Sequence, residues 1–87
     1  MTERQNDADA VWLAITTFPN VEVARQIGTQ LIESQLAACV NILRGVESIY
    51  SWKGKLERDS ELVGLIKTTA ANWDRLEAWM AEHHPYE

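Results

Sequence analysis

GVESIYSWKGKLERDSELVGLIKTT, residues 45–69, decides the fold. Lys53-Gly54 stands between two stretches of strand-like composition, and a glycine in a two-residue connection is a hairpin signal because it tolerates the left-handed backbone such turns require. On the way out, Val46, Ser48, Tyr50 and Trp52 point one way and Glu47, Ile49 and Ser51 the other. The return strand, 55–69, is polar in its first half and apolar in its second. Upstream, LAACVNIL at 36–43 extends the outgoing strand, interrupted only at Arg44-Gly45, where a bulge or bend is expected. Two strands of about 14 residues at about 3.3 Å each reach about 45 Å. That exceeds a compact domain of 87 residues, so the hairpin must project as an arm. Tyr50, Trp52 and Leu56 on that arm call for another subunit to cover them.

The rest of the chain follows from two periodicities. AVWLAITTF, 10–18, is β-branched and aromatic and ends at Pro19-Asn20; it reads as a strand buried on both faces and central in a sheet. Asn20 is a fitting N-cap, and Ala24, Ile27 and Leu31 recur at helical steps, giving a helix over 20–34. Trp73, Leu76, Trp79, Met80 and His83 give a second helix over 70–83, closed by the His84-Pro85 step. Residues 1–9 are polar and aperiodic, a disordered lead-in to a single domain over 10–87. The order β-α-β-β-α places the chain in the α+β, ferredoxin-like split βαβ class with a long β-hairpin. That class has a fourth strand, which Pro85-Tyr86-Glu87 would only begin, so the domain is expected to be incomplete at its C-terminus.

Composition narrows the function. Eight Lys and Arg against thirteen Asp and Glu give a net charge of −5, which disfavours nucleic acid and anionic membranes. No signal peptide or transmembrane stretch is expected, and the single cysteine, Cys39, in its LAACV setting reads as buried packing in a reducing cytoplasm. No phosphate loop, HExxH, paired-cysteine spacing or nucleophile with its base is recognisable, so no enzyme and no organic cofactor are expected. Glu57, Asp59 and Glu61 share one face of the return strand, a weak hard-cation patch or, more simply, a solvated face that blunts edge pairing. The two histidines, His83 and His84, suit Cu or Zn, or else cap the second helix.

LAACVNI (36–42), YSWKGKLE (50–57), IKTT (66–69) and HHPYE (83–87), in that order on this frame, resemble the CutA family of divalent-cation tolerance proteins over residues 10–87. The resemblance implies a compact homotrimer with sheets joined edge to edge, kinship in architecture with PII signalling proteins, Cu(II) or other divalent-ion binding, and no established reaction. It also implies three copper ligands, of which His83 and His84 match, while the cysteine's position falls on Thr16. Tyr50, Trp52, Lys67, Tyr86 and Glu87 belong to motifs that in the family surround intersubunit clefts, and their chemistry suits a small anion or zwitterion. Two functions follow as expectations. One is a copper-binding protein of divalent-cation tolerance; the alternative is a PII-like trimeric signalling or scaffold module that binds a small ligand or partner protein at those clefts.

Overall fold

A computed structural model describes residues 7–85. After a single 3-10 turn at Asp7–Asp9, the elements are β1 (Val11–Phe18), α1 (Val21–Glu33), β2 (Cys39–Trp52), β3 (Lys55–Thr69) and α2 (Ala70–His83). The turn replaces the aperiodic lead-in expected there; the rest of that lead-in lies outside the described residues. The sheet order is β1-β3-β2 with both pairings antiparallel. β3 therefore lies between β1 and β2, which run parallel to each other, and the β1-α1-β2 unit is split as the ferredoxin-like class requires.

The hairpin turn has Lys53 at φ 52° and Gly54 at φ 78°, the pair of positive values that matches the twist of the strands it joins. Pairing then runs from Trp52↔Lys55 to Val46↔Glu61 and resumes at Leu43↔Val63, one residue out of step, so β2 carries a bulge there with Gly45 at φ 76°. Because of it, Cys39, Asn41 and Leu43 share a face with Val46, Ser48, Tyr50 and Trp52. The arm lengthens the molecule to 51 × 31 × 22 Å, and the radius of gyration is 15.2 Å. A compact chain of this length would have about 12 Å.

α1 starts where expected, with Asn20 Oδ1 accepting from the Val23 amide at 2.8 Å. It ends without a glycine. Gln35 adopts φ 59°, and the amides of Leu36 and Gln35 donate to the carbonyls of Leu31 and Ile32, the pair of bonds that closes a Schellman motif. Leu36 and Ala37 then enter the core with Phe18, Ala24, Ile27, Leu31, Ile66 and Leu76. Thr68, also buried, donates its hydroxyl to the Leu36 carbonyl at 2.8 Å, so that hydroxyl is not stranded in the core. Gly64 makes room for Phe18: a β-carbon there would meet the ring at 2.5 Å.

Two expectations are corrected. Among the described residues β1 lies at an edge of the sheet rather than centrally, and Val11, Leu13 and Ile15 are 72, 50 and 68% exposed. The helices cover only one face of the sheet, taking Ala14 and Phe18 and leaving the alternate side chains on the other. Cys39 is half-buried on that helix-free face, paired across from Lys67, because Leu36 and Ala37 fill the core just before it.

Candidate functional site

The C-terminal ends of β1 and α2 meet. His84, extended at φ −71° and ψ 139° before Pro85, stacks on Phe18 at 5.5 Å. Its Nε2 lies 2.8 Å from the Thr17 carbonyl and 2.9 Å from Thr16 Oγ1. A carbonyl only accepts, so Nε2 carries the proton. His83 is turned elsewhere. It stacks on Trp79 at 4.1 Å, and its Nδ1–H donates to the Trp79 carbonyl at 2.9 Å, a cap on the last turn of α2 that leaves Nε2 facing solvent.

Thus Thr16 and His84 meet while His83 is turned away toward Trp79, and the donors at the three positions marked for metal are unequal. His83 offers an outward lone pair. His84 could ligate through Nε2 only by giving up the Thr17 and Thr16 bonds, and Thr16 offers a hydroxyl where a thiolate would be the soft donor. No cluster of three or more His, Cys, Asp or Glu side chains that could hold a metal occurs among the described residues.

A second concavity, ≈ 950 Å³, lies between the arm and the Pro19 and Pro85 turns. Tyr50 and Trp52 line it as the sequence suggests, and so do Glu57, Asp59 and Glu61. Lys67 lies outside it, on the helix-free face opposite Leu13 and Cys39, and Tyr86 and Glu87 fall outside the described residues. The lining acids oppose the anion expected from the lysine and favour a cation. Ser48 Oγ donates to Glu61 at 2.5 Å, and Tyr50 donates its phenol to Asp59, two diagonal bonds across the arm. The Asp59 bond, then desolvation and the charges of Asp59, Glu57 and Glu61, push the Tyr50 phenol up to about 12. Sequence reasoning missed these bonds, although the turn position fixes the register that creates them.

A family profile described as CutA1 divalent ion tolerance protein matches residues 12–87. The chain belongs to the CutA1 family. Its CutA relatives include Protein CutA of Mus musculus, 44% identical over 78 residues, which are 90% of this chain and 44% of that protein. The divalent-cation tolerance protein CutA of Thermus thermophilus is 45% identical over 74 residues, 85% of this chain and 72% of that one. Among solved CutA1 structures, the Thermus thermophilus protein superposes with a TM-score of 0.81 at 43% identity, covering 87% of this chain and 74% of its own. CutA1 from Oryza sativa gives 0.86 at 34% identity, covering 93% and 74%. The chain spans less than half the length of the mouse relative. The CutA1 frame read from the four motifs therefore holds. No helix among the described residues is long and apolar enough to cross a membrane, and an Arabidopsis thaliana relative is named as chloroplastic.

Proposed function

We propose that this CutA1 chain acts in divalent-cation tolerance, without an enzymatic reaction, as a cytoplasmic homotrimer that binds Cu(II) or a similar divalent ion at the end of α2. The observation that carries the reading is the CutA1 match over residues 12–87, with relatives named for divalent-cation tolerance. His83 is the leading ligand because its Nε2 faces outward. His84 joins only by exchanging its bonds to Thr16 and Thr17, so binding is weaker than at a site with a cysteine thiolate. The apolar helix-free face, with Val11, Leu13, Ile15 and Leu43 exposed, supports assembly, since a patch of this kind on a small domain favours burial against a second copy.

Native mass spectrometry with and without one equivalent of Cu(II) tests both parts. The expected spectrum is a trimer taking up about one copper per subunit. Replacing His83 and His84 together by Ala should lower Cu(II) affinity tenfold or more with the trimer kept; unchanged affinity would overturn the metal site.

A second reading, a PII-like ligand or partner module, is favoured by the aromatic cleft at Tyr50 and Trp52. A change in Trp52 fluorescence on adding a cationic metabolite, with no metal present, supports it; a Trp52→Phe variant keeping the same change would remove that support.

A further inference from the structure

The two histidines at the end of α2 are held in opposite ways. His84 gives its Nε2–H to the Thr17 carbonyl at 2.8 Å and meets Thr16 Oγ1 at 2.9 Å, so the nitrogen that faces β1 carries a proton and is engaged. His83, one residue earlier and exposed, has the reverse arrangement. Its Nδ1 carries the proton and donates to the Trp79 carbonyl at 2.9 Å, which leaves the Nε2 lone pair outward.

An exposed imidazole is ordinarily a poor starting point for a metal ligand, because its ring turns about the side-chain torsions and its single proton moves between the two nitrogens. Here one residue removes both freedoms. Trp79 lies four positions before His83, one turn back on the same face of the helix. Its carbonyl accepts the Nδ1 proton, and its indole stacks on the imidazole with centroids 4.1 Å apart and planes 14° from parallel. In metal sites a backbone carbonyl that takes the second ring N–H fixes the tautomer and the ring direction and makes the ligating nitrogen more basic. Any residue at position 79 would supply that carbonyl, but only a flat ring holds the plane of the imidazole against it. The indole is itself held, half-buried against the core that contains Leu76. The last carbonyls of α2 add a field that favours a cation at this end of the helix.

We propose that Trp79 is the positioning residue of the divalent-ion site: it presents His83 Nε2, in the required tautomer and direction, before any ion arrives. The proposal rests on the metal reading above and names what organises its leading ligand. A side chain that is already ordered loses little freedom on binding, so the indole raises affinity without touching the ion. It also stands against the coordinated imidazole, close enough for Cu(II) there to quench its fluorescence.

The test compares the wild type with Trp79→Phe, Trp79→Leu and His83→Ala, each checked for folding by circular dichroism. In the metal-free wild type, NMR of the imidazole nitrogens at about pH 8, where an ordinary histidine is neutral, should show His83 protonated at Nδ1. A ring protonated mainly at Nε2 would overturn the proposal whatever the variants do. Trp79→Leu keeps the carbonyl and loses the ring; it should give His83 a mixture of tautomers and weaken Cu(II) binding about threefold or more in competition with a chelator. Trp79→Phe keeps a ring to stack, and should bind like the wild type while losing most of the Cu(II) quench. Equal affinities in Trp79→Leu and the wild type would overturn the positioning role and leave the metal site standing. A quench in Trp79→Phe as deep as in the wild type would place the ion away from the stack and overturn it too. His83→Ala binding Cu(II) like the wild type, or a wild type that binds none, would overturn the metal reading as well. If Trp79→Leu does not fold, the tautomer and the Trp79→Phe quench still decide.

Discussion

Thr16 Oγ1 lies 2.9 Å from His84 Nε2, so side chains 68 residues apart tie the end of β1 to the end of α2. The Thr17 carbonyl and the Phe18 ring beside it hold the same imidazole in place. Thr16→Val should lower stability by about 0.5–1.5 kcal/mol, the usual net worth of such a bond, measured by urea unfolding. Thr16→Cys should raise Cu(II) affinity tenfold or more by adding a soft donor beside His84, measured by competition with a chelator. Equal affinities would place the metal away from β1.

Gly64 and Phe18 are coupled by space. A β-carbon at Gly64 would stand 2.5 Å from Phe18 Cε2, and Phe18 is fully buried, so the ring has nowhere to go. Gly64→Ala should destabilise the fold by about 1–3 kcal/mol. In a Phe18→Leu background the same change should be milder, and a double-mutant cycle in denaturant reads the difference.

Asn20 holds the start of α1 through the Val23 amide. Asn20→Ala should lower stability by about 1 kcal/mol, while Asn20→Asp, which keeps the acceptor, should change it little. Thermal unfolding followed at the helical circular-dichroism band decides between them.

Tyr50 should ionise late. Its phenol is raised from 10.0 to about 12, chiefly by the bond to Asp59. The folded chain therefore keeps this proton where the unfolded chain releases it, and stability falls as pH rises between those two values, with the full contribution present below 10. Phenolate absorbance during an alkaline titration checks it: Asp59→Asn should bring the Tyr50 midpoint back toward the ordinary value.

Much of this was legible before any coordinates. The two-residue turn at Lys53-Gly54 and the alternation around it set the register of the arm, and the bulge at Arg44-Gly45 announced itself through its glycine. Asn20, Ala24, Ile27 and Leu31 were enough to place α1 to within a residue at each end. The close of α1 was less legible, because Gln35 takes the left-handed position usually given to glycine. β1 misled because an apolar run reads the same whether its second face meets a helix or stands open, and periodicity does not report which. At the candidate site, His83 and His84 could be marked from the sequence, but which ring nitrogen stays available depends on the carbonyls of Thr17 and Trp79, and backbone acceptors leave no mark in a sequence.

The bulge between Leu43 and Val46 bears on how this hairpin can change over evolutionary time. Losing its extra residue would restore plain alternation with Leu43 still opposite Val63 and Val46 still opposite Glu61, so each side chain of the outgoing strand would keep its face and only the local bend would relax. Lengthening is permitted only in whole pleats, two residues on each strand at a time, so related chains whose arms differ in reach should differ by multiples of four residues unless a second bulge restores the parity.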